Sequence, residues 1–471
     1  MSPEQVDIAP GEYTYLPIER VHFGQGVIDK LASELDRIGS QRPFVITGHT
    51  IANKTDLVVR LEQVARRKLA GVFSEIRQHA PESGIKLAAK AAREARADSL
   101  VSLGGGSPID ATKIVVKEIS ENFRHNSLPH LAIPTTLSAA EFSHAAGMTD
   151  EKLKKKTGFR DVRMVPGLIF LDPELTVPTP SWLWASTGIR SLDHAVEAVC
   201  SPRHQPYVDV LALEAIRLLF QNLKRSLQEP IDLRFRLACQ IAAWLSDAGA
   251  LSVGTGISHA IGRVIGATWN IPHGITSCLT LAEVMRMEAK RYPKRLVAIA
   301  RAEAKPTEGR PEEVAMSAAE GVAELVRELD LSKRLRDYGI EKSDFSTIAR
   351  GTSCWKYVEM RRVKDIAATV KCPECGSSLV AALGVADEDV RKVITKNGAR
   401  LSEREKDLVS KAEDTAKLVD RYGRLAVYAL AGRRIMPEVA GDILRKHRRP
   451  TSGFFEAVME AEREALKERF W

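Results

Sequence analysis

The chain has 471 residues, 44% of them apolar, and carries a formal net charge of +8 from 69 Lys and Arg against 61 Asp and Glu. That length exceeds one typical hydrophobic core and predicts two or three domains, each with ample apolar material. No apolar run approaches the ~18 residues of a membrane span, the start MSPEQVDIAPGEYTYLPIER lacks a basic-then-apolar leader pattern, and six cysteines do not form a secreted disulfide framework, so the expectation is a soluble cytoplasmic protein with reduced thiols.

Taken in chain order, PFVITG (43–48) reads as a short buried strand, and SGIKLAAKAAREAR as a helix. ADSLVSLGGGSPIDATKIVVKEI, from Ala97, is strand, glycine turn and helix, while LPHLAIPTT and GLIFLDPEL supply two further strands. Strands alternating with helices predict a parallel α/β domain over 1–176. From Pro180 the pattern turns helical: DVLALEAIRLLFQNLKRSL and DLRFRLACQIAAWLSDAGALSV place apolar residues at three-to-four spacing, which predicts an all-helical domain over 177–350. After STIARGTSCWKYVEMRRVKD the composition shifts through a Cys-Pro-Glu-Cys-Gly knuckle into charged helices, a third segment over 351–471. That segment holds 25 Lys and Arg against 19 Asp and Glu from Arg350 onward, so about +6 of the +8 lies there.

The turn SLGGGSPIDATK (102–113) carries the first chemistry. Gly104, Gly105 and Gly106 let a ligand approach the backbone, and the N–H groups of the helix opening at Ser107 and Asp110 make an anion site suited to a pyrophosphate. The same turn also serves as a plain strand-to-helix connection, and it is not the G-x-G-x-x-G fingerprint. PTTLSAAE (134–141) adds the hydroxyls of Thr135, Thr136 and Ser138, and KKKTGFRDVRMVPGLIFLDPELT adds Lys156 as a partner for phosphate or ribose. In GISHAIGRVIGATWNIPHG, His259 and His273 stand fourteen apart, a spacing open either to metal ligands or to two ordinary histidines near a helix end.

Together and in this order, GGGSPIDATK, IPTT, KTGFRDVRMVPGLIFLDPEL, SLDHAVEA and HAIGRVIGATWNIPHG resemble the iron-containing alcohol dehydrogenase family over about 15–345. The maleylacetate reductase branch is the nearest. The resemblance implies an α/β dinucleotide-binding domain followed by an all-α domain, with hydride passing between NAD or NADP and a carbonyl in the cleft between them. It also implies a divalent metal, Fe or Zn, held by an aspartate, a histidine four residues later and the fourteen-apart pair, which match His194, His259 and His273.

Two positions depart from that pattern. The ligand aspartate falls on Arg190, and a second histidine common four residues into the pair falls on Arg263. Asp193, beside His194, is expected to point about 100° away from it on a helix. A guanidinium cannot ligate a cation, but it can hold a carboxylate or a developing alkoxide. Arg190 and Arg263 are therefore candidates for an anion clamp on a carboxylated oxo-acid, as in maleylacetate reductase. The alternatives are structural ion pairs, or a metal-dependent alcohol dehydrogenase with three histidine ligands. Gly48 stands where a family aspartate discriminates against the 2′-phosphate, so NADP is admitted beside NAD. Ala139 and Ala140 replace the glycine and serine usual in the neighbouring loop.

Cys372 and Cys375 have the spacing of a zinc half-site, with Cys354 and His447 as candidates to complete it. The stretch from about 352 to 471 resembles the C-terminal end of archaeal superfamily-2 helicases, without a motor. Arg434 and Met436 stand where a helix-hairpin-helix would have glycines, while Arg433, Arg434 and RKHRR (445–449) can meet phosphates non-specifically. The readings carried forward are a small-molecule oxidoreductase, with a homo-oligomer allowed and no membrane partner, and a nucleic-acid-associated protein on a disabled dehydrogenase scaffold.

Overall fold

Six short apolar runs pair in parallel to form the central sheet of the computed structural model, which describes residues 12–120, 127–151, 155–290 and 292–345 with Ile348 and Thr352. Contacts divide the chain into one unit through Lys342 and another from Ser343, and the sheet and all the α-helices named below belong to the first.

The elements of the α/β layer are β1 (Arg20–Phe23), α1 (Leu31–Arg37), β2 (Pro43–Ile46), α2 (His49–Lys54), α3 (Leu57–Val64), β3 (Gly71–Phe73), α4 (Glu82–Glu94), β4 (Ser99–Gly104), α5 (Gly106–Ile119), β5 (His130–Pro134), β6 (Ala145–Asp150), β7 (Lys155–Arg160) and β8 (Leu168–Leu171). Strand order is β1-β8-β5-β4-β2-β3, every neighbour parallel. Both faces are covered. Phe44, Ile46 and Leu100 pack with Ile85 and Ala88 of α4 and Ile114 of α5, while Val45, Val101 and Ile133 pack with Leu31 and Leu35 of α1 and Leu61 of α3. That explains why β2, β4, β5 and β8 read as continuous apolar runs rather than alternating ones.

The strands expected from the sequence are present, and four more join them. β1 and β3 are edge strands of four and three residues, only partly buried, and too short to leave a pattern. β6 and β7 form an antiparallel hairpin outside the sheet, a departure from the purely parallel expectation; Ala146, Met148 and Phe159 pack on the core beside α4 and α5, but Gly, Thr and Lys among them break up any strand-length apolar run.

The chain runs from β2 to β3 at the sheet edge and returns to β4 on the other side of β2, so a crevice opens at the carboxyl ends of β2 and β4. Thr47 Oγ1 donates to Leu103 O across it at 2.7 Å. Gly48 and Gly104 flank the opening.

The helical part comprises α6 (Ser181–Cys200), α7 (Pro206–Asn222), α8 (Arg225–Gln228), α9 (Leu233–Val253), α10 (Ile257–Trp269), α11 (His273–Ala289), α12 (Pro293–Ala302) and α13 (Pro311–Glu328). Helix α6 is buried almost all round, packing on α7, α9, α10 and α11. Trp184 anchors it, with Nε1 donating to Ser226 Oγ at 2.8 Å and the Arg236 guanidinium 4.6 Å above its ring. Helix α9 bridges back to the sheet layer: Trp244 stacks on Phe142 at 5.5 Å, and Arg236 Nη1 donates to Thr176 O at 3.0 Å. No described helix is long and apolar enough to cross a membrane.

Candidate active site

The glycine turn sits at the crevice. Gly104 has φ +137°, a conformation L side chains rarely adopt, and a Cβ on Gly105 would lie 3.0 Å from Thr136 Cγ2. A Cβ on Gly106 would meet Ser138 Oγ at 3.2 Å, so this turn and the Thr135–Ser138 loop are in close contact because both lack bulk there. The start of α5 has no side-chain cap, leaving its N-terminal N–H groups for an anion. Behind it, Asp110 accepts from Gly147 N at 3.1 Å. Lys113 is fully buried and donates to Ala140 O and to Ala145 O at 2.8 Å. Gly48, Gly104, Gly105, Gly106, Ser107, Thr135, Thr136 and Ser138 are thus gathered around one crevice. Lys156 lies on β7.

The same loop docks on α6: Leu137 N donates to Thr187 Oγ1 at 3.1 Å, and Ser191 Oγ donates to Leu137 O. That fixes α6 against the crevice and with it the row Arg190, Asp193, His194 and Glu197, one broad helical face at spacings of three and four. His259 projects from the first turn of α10, which ends at Asn270 with φ +54°; Pro272 then opens α11 with His273 at its first position. Glycines allow the hairpin to close, since a Cβ on Gly262 would stand 2.8 Å from Thr276 Oγ1. A Cβ on Gly274 would stand 2.6 Å from the Ser186 carbonyl of α6.

Asp193 is interior because Ser258 of α10 and Ser277 of α11 close over it. Its Oδ2 accepts from Ser277 Oγ at 2.6 Å and Ser258 Oγ at 2.9 Å, and lies 3.4 Å from His259 Nδ1 and 3.6 Å from Arg190 Nη1. Glu197 Oε2 is 2.6 Å from His259 Nδ1 and also accepts from Gly256 N, while Oε1 accepts from His259 N at 3.2 Å. Burial and Arg190 oppose a charge on His259, yet Asp193 and Glu197 outweigh them and hold its pKa above the ordinary value. Burial would raise Asp193, but His259, Arg190 and the Ser277 bond keep it below the usual carboxylate range.

His194 and His259 lie with ring centroids 4.8 Å apart. Burial, then the charges of His259, Arg190 and Arg263, push His194 well below its ordinary pKa. Its Nδ1 is 3.7 Å from Asp247 Oδ1, and burial raises Asp247 to about 6. Arg190 Nη1 also donates to Ser277 Oγ at 3.2 Å. Burial, followed by repulsion from Arg190 and Arg160, brings Arg263 down to about 10. The two arginines therefore share one buried electrostatic environment with His194. His273 stands apart from that pair, its ring meeting His79 edge-on at 5.5 Å. His79 in turn lies in the loop before α4, where its N–H donates to Ser107 Oγ at 3.2 Å, so this contact joins the glycine turn to the start of α11.

Glu197, Asp247 and His79 were not among the sequence candidates. Glu197 carried a signal, at i+3 and i+7 from His194 and Arg190 in SLDHAVEA. Asp247, in the middle of α9, and His79, in a loop of left-handed residues, carried none.

The family resemblance implies a divalent ion at this place. Among the described residues, one group of three has ligand atoms all within 4.8 Å of one another, namely Asp193, Glu197 and His259; His194 and His273 are outside it. Most of its carboxylate oxygens already accept from Ser258, Ser277, Gly256 N–H and His259 N–H, and the Arg190 guanidinium stands beside Asp193. A metal ion would meet a fixed positive charge at the same oxygen, so the residues present do not fit one.

Cys354, Cys372, Cys375, Arg433, Arg434, Met436, His447 and the RKHRR run lie outside the described residues. Among those described, Cys200, Cys239 and Cys278 are free thiols.

Residues 18–173 match the model of iron-containing alcohol dehydrogenases, and residues 184–356 match that of the C-terminal part of the Fe-containing alcohol dehydrogenase family. The chain is 31% identical over 275 residues to a maleylacetate reductase of Pseudomonas sp. (strain P51), which covers 58% of this chain and 75% of that one. The crystal structure of maleylacetate reductase from Agrobacterium tumefaciens superposes with a TM-score of 0.65 at 26% identity, over 76% of this chain and 95% of that one. A sulfoacetaldehyde reductase from Bifidobacterium kashiwanohense in complex with NAD+ shares the fold, with a TM-score of 0.66 at 23% identity over 73% of this chain and 92% of that one.

Proposed function

Because the chain belongs to the iron-containing alcohol dehydrogenase family and is an NAD(P)-dependent oxidoreductase, we propose that it reduces a carboxylated oxo-acid of the maleylacetate kind, with Arg190 and Arg263 in the role of anion clamp. The nicotinamide coenzyme binds with its pyrophosphate on Gly104–Gly106 and the open N-terminus of α5. Ser107, Asp110, Thr135, Thr136, Ser138 and Lys156 complete its site. Gly48 presents no carboxylate against a 2′-phosphate, so either dinucleotide enters.

Hydride transfer from the nicotinamide, to a carbonyl carbon or to a double bond conjugated with it, puts negative charge on the carbonyl oxygen, and a proton from solvent completes the reduction. A guanidinium held in a buried pocket stabilises that charge without reorganising, and a second one fixes a substrate carboxylate by paired N–H bonds. The observation that supports the reading is that Arg190 and Arg263, both half-buried, stand near enough to His194 to oppose a charge on it. The Arg190 contact with Asp193 and Ser277 orients its plane and occupies one amino group; a guanidinium has further N–H donors to offer.

Arg190→Ala and Arg263→Ala test the clamp. Each is expected to lower kcat/KM for an oxo-dicarboxylate by ~10²–10³-fold, and for an uncharged ketone of similar size far less. Equal losses on both substrates, with the fold intact, would remove the carboxylate role, and unchanged kinetics would remove the clamp altogether.

A further inference from the structure

The cluster around Asp193 has the composition of a cation site with a cation already built in. Asp193 and Glu197 stand four apart on α6, His259 reaches them from α10, and their ligand atoms lie within 4.8 Å of one another. The side chains are sealed from solvent, Asp193 at 0% and His259 at 2% exposure. Asp193 Oδ1 and both ring nitrogens of His259 are buried without a hydrogen-bond partner. Two carboxylates in so small a volume demand compensating positive charge. His259 supplies part of it, and Arg190 supplies the permanent part from the same helix, three residues before Asp193, with Nη1 at 3.6 Å from Asp193 Oδ2 and braced by Ser277.

We infer that Arg190 is a resident, covalently tethered cation that takes the electrostatic place of a divalent ion at the Asp193–Glu197–His259 pocket, and that removing its guanidinium uncovers a metal-binding site there. A tethered charge cannot be chelated away, and it repels a free cation from the oxygen it faces. With the guanidinium gone, the unpartnered Asp193 Oδ1, the remaining lone pairs of the hydrogen-bonded Asp193 and Glu197 oxygens and the His259 imidazole remain within ligand reach of one another, an oxygen-rich set with one nitrogen that suits Co²⁺, Zn²⁺ or Fe²⁺. The inference does not rest on the identity of the substrate, because metal uptake is measured with neither coenzyme nor substrate present.

The test is titration of the full-length, chelator-treated chain with Co²⁺, followed by calorimetry and by visible absorption. Every protein in the series carries Cys372→Ser and Cys375→Ser, so that thiolate binding does not contribute. The unsubstituted site and Arg190→Lys, which keeps the charge, are expected to take up no Co²⁺. Arg190→Ala is expected to take up one equivalent, at least ~10²-fold more tightly than the parent, and Arg190→Ala with Asp193→Asn to lose it again. Uptake of one equivalent by the parent that Asp193→Asn abolishes would overturn the inference. So would failure of Arg190→Ala to bind while its circular dichroism and NADH binding are unchanged. Should Arg190→Ala misfold, Arg190→Gln answers the same question with the same two overturning results.

Discussion

Replacing Gly274 by alanine tests whether the interface between α6 and α11 sets the geometry of the site. Alanine in a helix is ordinarily favoured over glycine by ~1 kcal/mol. Here the new Cβ would stand 2.6 Å from both C and O of Ser186 and 2.9 Å from Ser186 Oγ. Two of those three atoms belong to the backbone and cannot rotate aside, so α11 must move by roughly 0.8 Å to restore ordinary contact, at a cost of about 1–3 kcal/mol. The same movement lengthens the bond from Ser277 Oγ to Asp193, now 2.6 Å, to about 3.4 Å and so weakens it, and it withdraws the brace on Arg190 at 3.2 Å. Misplacement of this size costs ~10–10²-fold in rate. Gly274→Ala is therefore expected to unfold at lower urea concentration and to lose kcat/KM for the oxo-acid by that factor. KM for the coenzyme should change less, because the glycine turn is carried by β4 and α5 and meets the start of α11 through the His79–His273 ring contact. Gly158→Ala, whose Cβ would meet nothing within 4 Å, is the control and should match the parent. Wild-type stability and kinetics in Gly274→Ala would refute the claim that this close approach positions the site.

Gly105→Val should raise KM for NAD(P)H by ~10-fold or more in steady-state assays with little change in KM for the oxo-acid, since even a Cβ there stands 3.0 Å from Thr136; parallel rises in both would count against a coenzyme-specific role. Lys113→Met leaves the Ala140 and Ala145 carbonyls without their donor, and should lower the unfolding free energy by ~2–4 kcal/mol and weaken coenzyme binding measured by fluorescence titration. Glu303 is buried with neither carboxylate oxygen hydrogen-bonded, and burial raises it to about 9 from 4.5. A raised carboxyl favours the folded state in its protonated form, so its contribution is intact below 4.5 and is lost progressively until pH passes about 9. Glu303→Gln should accordingly match the parent under acid conditions and exceed it by about 3 kcal/mol near pH 7, with the gap widening toward pH ~9. A gap independent of pH would show that Glu303 is not the titrating group.

Much of the α/β layer was legible because buried parallel strands leave continuous apolar runs, and PFVITG and LPHLAIPTT have few other readings. The edge strands β1 and β3 left no pattern, being short and only partly buried. The glycine turn was legible for the same reason that it works: Gly104, Gly105 and Gly106 stand where side chains would collide with Pro108, Thr136 and Ser138. In the helical part, the row of Arg190 and His194 followed from spacing, but the inward role of Asp193 did not. A helical wheel gives an angle, and only the docking of α10 and α11 decides whether that angle faces protein or solvent. Asp247 illustrates the same gap, since it lies more than fifty residues along the chain from the His194 it meets. The histidine pair divides for a physical reason as well. His259, one turn into α10, points into the acidic pocket, whereas His273, at the first position of α11, faces His79 beside the glycine turn.

The decisive measurement is NAD(P)H oxidation with maleylacetate by chelator-treated chain whose metal content has been determined, before and after addition of Fe²⁺ or Zn²⁺. Fixed guanidinium groups in place of a bound ion predict full turnover without metal and no gain from either ion. Turnover that appears only when metal is restored would contradict this assignment of Arg190 and Arg263.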